Sequence, residues 1–205
     1  MNGITVTMAI VDFIPVLLFF MASYIILKDL YNKSLKGVYA LMSAGSIMVF
    51  LAGLCKATWK ILYALNICDF EALDKAFFPM NSLGFILFFI GMLGFFSKAN
   101  RKAMAYSVVA PFTSNMPFVI LQVIGCAGVQ FCLVHLARKM KQYKAVVCFI
   151  IAFVFMLGMG YLSAKFDDSS NMHWMAQITN IISNGSLLVG VLMLHKAGLP
   201  EKKLW

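Results

Sequence analysis

Charge is what this chain has least of. Only 12% of its 205 residues are Asp, Glu, Lys or Arg, against 62% hydrophobic residues, and the mean hydropathy is +0.87. A soluble domain carries about 25% charged and roughly 45–50% apolar residues. A water-soluble fold of this length has too much surface for its volume to hide so many apolar side chains. Soluble enzymes, disordered chains and secreted disulfide scaffolds are therefore excluded. The chain reads as an integral membrane protein, one domain over residues 1–205.

Other absences narrow the reading. No basic residue precedes Lys28, and the apolar stretch Ile4–Leu27 is longer than a signal-peptide core, so a retained transmembrane helix is expected there. No H-E-x-x-H, G-x-S-x-G, glycine-rich phosphate loop or Asp-rich magnesium motif occurs. No C-x-x-C or Cys/His metal spacing occurs either, and His135, His173 and His195 make no ligand pair at a shared depth. No metal, haem or other cofactor is expected. The net charge of +9 sits in short clusters between apolar runs, where membrane proteins keep topological signals. No soluble segment is long enough to hold a nucleic-acid-binding face. Cys126, Cys132 and Cys148 lie in or beside apolar runs and read as small hydrophobes. Cys55 and Cys68 flank one loop; two free thiols are expected, with a disulfide as the alternative if that loop meets an oxidising compartment.

What is there is a set of six apolar runs bounded by charge: Ile4–Leu27, Gly37–Thr58, Phe77–Ser97, Met116–Ala137, Ala145–Ala164 and Trp174–Leu194. Each has the length needed to cross a hydrocarbon core of about 30 Å at about 1.5 Å per residue. An open chain in lipid satisfies its own backbone only as a helix. A seventh segment, Ala103–Asn115, is apolar but short and contains Pro111. With six crossings the basic residues divide almost evenly between the two sides. If Ala103–Asn115 also crosses, thirteen basic residues gather on one side and four on the other, as the positive-inside rule expects. The expected fold is an all-α polytopic bundle of seven transmembrane helices, with six as the alternative. Seven would put the N-terminus outside and the C-terminus in the cytoplasm.

A weak internal repeat supports seven. Residues 78–93 (FPMNSLGFILFFIGML) resemble 177–194 (QITNIISNGSLLVGVLML), setting Asn81 on Asn180 and Leu93 on Leu192. Before each copy comes a basic loop, an apolar helix and an acidic loop. Two three-helix units in one orientation around one inverting helix, a 3+1+3 pseudo-repeat, would follow. That plan resembles the SWEET and PQ-loop carriers. The likeness is one of architecture, because no Pro-Gln dipeptide occurs.

Polar residues inside lipid-spanning helices are costly and therefore informative. His173, Gln177, Asn180 and Asn184 fall at i, i+4, i+7 and i+11, on one stripe of the last helix. Ile178, Ile181, Ile182 and Leu188 are assigned to its apolar face. The stripe either lines a cavity or hydrogen-bonds to neighbouring helices as packing. Asn81 matches Asn180 through the repeat. Asp12, in VDFIP, is either a carboxylate beside a turn weakened by Pro15 or an N-cap in the headgroup region. In the first case it could couple a proton or cation. Trp59 and Trp174 read as interfacial belt residues. Glycine and serine clusters such as Gly45/Ser46, Gly91/Gly94 and Gly125/Gly128 would permit close helix packing.

The leading expectation is a small solute carrier or channel with substrate-binding residues Asn180, Asn184, Gln177, Asn81 and His173, and Asp12 as coupling-ion site. Its partners would be the bilayer, a small polar solute or ion, and a second copy or another membrane subunit. One alternative is an accessory or scaffold subunit whose stripe docks a partner. The other is a membrane-embedded enzyme acting on lipid, which would need Asp12, Asp74 and His173 within reach of one another.

Overall fold

The computed structural model describes residues 5–97, 115–164 and 170–202. Among these residues there is no strand. Helices α1 (Val6–Val11) and α2 (Phe13–Leu30) form one interrupted rod. Helix α3 (Lys36–Ala64) returns, and a short α4 (Glu71–Lys75) leads into α5 (Phe77–Phe96). Then come α6 (Asn115–Lys139), α7 (Tyr143–Ala164) and α8 (Ser170–Lys196). By length and composition five stretches can cross a membrane: Val6–Lys33, Lys36–Ala64, Glu71–Phe96, Pro117–Lys139 and Asn171–Lys196. Helix α7 adds a shorter apolar stretch, Tyr143–Met159. Of the expected seventh segment, Ala103–Asn115, all but Asn115 lies outside the described residues.

The outer surface suits a bilayer rather than water. Leu17, Phe20, Ile47, Ile120, Phe131 and Val154 are exposed, whereas Ser82, Gln177 and Ser183 are buried. This inverts the soluble pattern and matches helices whose backbone is satisfied internally in lipid.

Local chemistry sets the helix ends. Thr5 caps α1, its Oγ1 accepting from the Met8 N–H at 3.3 Å. The rod breaks at Asp12, three residues before Pro15, whose ring nitrogen has no hydrogen to give the Val11 carbonyl. Helix α3 outruns its apolar stretch because its late polar groups find partners: Lys60 pairs with Asp12, and the Trp59 indole N–H donates to Asp69 Oδ1 at 2.9 Å. Trp59 is consequently buried. Helix α8 stops where Gly198 takes φ +81° and the Leu199 N–H reaches back to the Leu194 carbonyl at 3.2 Å. This Schellman turn drives Leu199 into the core.

Small residues set the close contacts. A Cβ on Gly45 would lie 2.5 Å from the Gly84 carbonyl oxygen and the Phe88 nitrogen, so α3 and α5 touch backbone to backbone. Gly91 meets Met42 on the same pair of helices, which are therefore antiparallel. On α6, Gly125 sits against Phe85 and Ile86, and Gly128 against Phe89. Ser82 Oγ lies 2.6 Å from the Phe118 carbonyl, and Phe96 meets the His135 ring edge-on. Residue numbers rise together along both chains, so α5 and α6 run parallel. Helices α7 and α8 are antiparallel, with Phe149 against Gly190 and Ser183 donating to the Ala152 carbonyl at 2.8 Å. The first rod and α8 are parallel, joined by Gln177 to Met8 at one end and His195 to Asp29 at the other.

Contacts follow chain order and close on themselves: α2 on α3, α3 on α5, α5 on α6, α6 on α7, α7 on α8, and α8 back on α2. Helices α5 and α8 therefore stand across the ring from each other. Helices α2, α5, α6 and α8 all end at one face of the ring, here called the His195 end. The opposite face is the Asp12 end.

Candidate functional site

The two halves of the ring differ in polarity. Towards the His195 end the interior is filled by one apolar cluster that includes Ile26, Met42, Met92, Leu133, Phe149 and Val191. Towards the Asp12 end the buried groups include Asn81, Ser82, His173 and Gln177. The polar half offers amide, hydroxyl and imidazole groups for hydrogen bonding.

Each expected site residue has a defined place. His173 and Gln177 point inward from the first turns of α8 and are buried. Gln177 Nε2 donates to the Met8 carbonyl at 2.7 Å, while its Oε1 has no partner among the described residues. Asn184 Nδ2 donates to Asn180 Oδ1 at 2.8 Å and to the Asn180 carbonyl at 3.0 Å. These two half-buried amides form a one-turn ladder along α8. Asn81 is 5% exposed on α5, across the ring. No hydrogen bond among the described residues links it to Asn180 or Asn184. Leu188 is buried, not on the lipid face. It stands four residues after Asn184 and so continues the inward stripe as an apolar residue.

Asp12 belongs to a charge network of its own. It makes an ion pair with Lys60, both side chains nearly buried, and its side chain does not cap α2. One turn earlier on α3, Lys56 stands 3.8 Å from Asp74 and 4.5 Å from the Phe77 ring centroid. Two lysines at i and i+4 thus tie the broken first rod and the α4 turn to α3. Asp12 and Asp74 are thus each paired with a different lysine. Cys55 and Cys68 are both free thiols.

The His195 end holds a pair that the sequence reading missed. Asp29 is buried, its side chain 1% exposed, and both oxygens lie within 3.0 Å of His195 Nδ1. Lys33 reaches the Leu199 carbonyl and, at 2.7 Å, the Lys202 carbonyl. The first and last helices are latched here beside a cavity of about 600 Å³ whose wall includes Tyr24, Tyr31, Tyr39, Asp29 and His195. Asp29 follows Lys28 at the end of an apolar run, where an acid reads as a headgroup-level residue. No sequence signal marks its partner, 166 residues away.

Comparison with protein-family models, curated proteins and solved structures gives no match.

Proposed function

We propose that this protein is a seven-helix membrane carrier for a small polar solute or ion, bound in the polar half of the ring. Its main support is the segregation of these side chains: buried His173, Gln177 and Asn81 towards the Asp12 end, and a large apolar cluster towards the His195 end. A carrier needs a binding site that opens to one side at a time, with a closed barrier opposite it. Asn180, Asn184 and Asn81 supply donors and acceptors without the cost of a buried charge, and Asp12 with Lys60 is the charged group nearest this half along the first rod.

The crossing count rests on helix direction. Because α5 and α6 are parallel, Ser97 and Asn115 stand at opposite ends of the ring. In this proposal the apolar segment Ala103–Asn115 carries the chain back across, after the basic loop that holds Lys98, Arg101 and Lys102. Two down-up-down triplets, α2–α3–α5 and α6–α7–α8, then form the repeated units, with Asn81 and Asn180 on corresponding helices. With seven crossings, thirteen basic residues share the His195 end, and the positive-inside rule then supports a cytoplasmic His195 end and an external N-terminus.

Solute-dependent flux into liposomes holding only the purified protein tests the proposal. Asn180→Leu is expected to leave a folded protein in the membrane and to reduce flux by at least about tenfold, the loss expected for roughly 1.4 kcal/mol of binding. A second reading, an accessory subunit, draws on Gln177 bonding to Met8 and on the Asn180–Asn184 ladder, both of which serve as packing. Unchanged flux in Asn180→Leu, or no flux for any solute without an added partner, would favour it.

A further inference from the structure

The cavity beside the Asp29–His195 latch has a volume of about 600 Å³, within the range of about 300–1,000 Å³ typical of small-molecule sites. It lies at headgroup level. The apolar stretches Val6–Lys33 and Asn171–Lys196 both end here, and Tyr24 and Tyr31 stand exposed on its wall, as interfacial aromatics do. Tyr24, Leu27 and Lys28 fall at i, i+3 and i+4 of α2, so one face of that helix presents an apolar track with a cation beside it.

Two basic side chains line the cavity. Lys28 is exposed and makes no ion pair among the described residues. The other, His195, is held from behind. A carboxylate can only accept, so Asp29 fixes the hydrogen on Nδ1 and leaves Nε2 as the ring nitrogen open to a ligand. The Asp29 side chain is 1% exposed and the imidazole 43%, so the histidine, and not the acid, meets what enters. When protonated, the ring is paired with Asp29 and offers Nε2–H as a charge-assisted donor. The surroundings have the same sign. Lys36 stands one turn before Tyr39 on α3, and Lys196 follows His195; the nearby acids are Asp29, already paired, and Glu201, next to Pro200 of the wall. Lys33 is engaged with the Leu199 and Lys202 carbonyls. The charge favours an anion, and the aromatic wall favours one that carries hydrocarbon.

We infer that this cavity binds the phosphate of an anionic glycerophospholipid, received by Lys28 Nζ and His195 Nε2, with an acyl chain along Tyr24 and Leu27. Basic pockets between transmembrane helices take such headgroups. A zwitterionic lipid would bring its ammonium group among Lys28, Lys36 and Lys196. Binding requires neither transport nor a particular orientation of this end, so it stands apart from the carrier proposal.

The test is native mass spectrometry of the full-length protein in neutral detergent. It is titrated with phosphatidylglycerol, with phosphatidylcholine of the same chains, and with soluble glycerol phosphate. Phosphatidylglycerol is expected to bind at least about tenfold more tightly than phosphatidylcholine, and glycerol phosphate is expected not to displace it. Lys28→Gln should weaken phosphatidylglycerol about fivefold, the contribution of one cation near the membrane surface, and leave phosphatidylcholine unchanged. His195→Gln should act in the same way. Lys144→Gln, which removes the same charge at the start of α7 on the same end of the ring, should change nothing. Equal binding of the two lipids by the unaltered protein would overturn the inference, as would equal losses in Lys28→Gln and Lys144→Gln. Displacement by glycerol phosphate would overturn it too, in favour of a soluble phosphoester. His195→Gln strands Asp29 and can impair folding, but the unaltered protein and the exposed Lys28 decide the matter without it.

Discussion

Asp12 and Asp29 are both acids carried by the first apolar rod, and their fates show what a single residue can and cannot announce. Asp12 stands out in the sequence because apolar residues surround it, and it becomes half of an ion pair with Lys60, side chains 13% and 15% exposed. Removing one member of a nearly buried pair strands the other charge and costs about 3–5 kcal/mol, whereas replacing both is much less harmful. Lys60→Met should therefore lower thermal stability in detergent markedly, and adding Asp12→Asn should recover most of the loss. If Lys60→Met melts with the parent protein, Asp12 is held by other groups. Asp29, deeper in the protein than Asp12, is paired with His195. The difference arises because burial depends on what stands opposite, and a residue's neighbours in sequence do not determine that.

At the scale of the helix, the glycines separate into those that touch another backbone and those that do not. Gly45 sits where α3 and α5 meet, and a Cβ would be 2.5 Å from main-chain atoms that cannot swing aside. Gly185, on α8, has nothing within 4 Å of the same construction. Both look alike as small residues in apolar helices. Gly45→Ala should force α3 and α5 apart and cost about 1–3 kcal/mol, as overpacking does. Gly185→Ala should be neutral or stabilising by about 0.5–1 kcal/mol, since glycine weakens a helix interior. Unfolding midpoints of the two variants in one detergent check the contrast; equal shifts would mean that the α3–α5 contact is looser than its geometry. Ser82 acts at the same scale. Its hydroxyl lies 2.6 Å from both the Phe78 and Phe118 carbonyls, so Ser82→Ala should cost about 0.6–2 kcal/mol, read from the same melting curves.

For the whole molecule, direction is the property that matters most. Parallel α5 and α6 place the chain at opposite ends of the ring before and after residues 98–114. A reporter inserted in Lys98–Lys102 and one inserted after Asn115 are therefore expected on opposite sides of the membrane, with a third after Arg138 on the same side as the first. Reporters at Lys98–Lys102 and Asn115 on one side would return the count to six crossings and remove the basis for two equivalent triplets.

The sequence by itself determined that this is a helical membrane protein, where its apolar helices lie, and that α8 carries a polar stripe. Those properties are local: run length, charge at the boundaries and spacing of 3.6 residues. Even the start of α7 at Tyr143 and the end of α5 at Phe96 fall within two residues of the apolar runs that foretold them. Only the tertiary structure decided that Leu188 continues the inward stripe, that Gln177 reaches Met8, that Trp59 is buried over Asp69, and that Asp29 meets His195. The Gln177 and Asp29 contacts depend on closure of the ring, which brings α8 against the first rod, whereas Trp59 depends on the chain after α3 folding back to bring Asp69 onto it. Periodicity can show that a helix has two faces, but the neighbour that packs against it decides which polar group is satisfied and which, like Gln130 Oε1, finds no partner among the described residues.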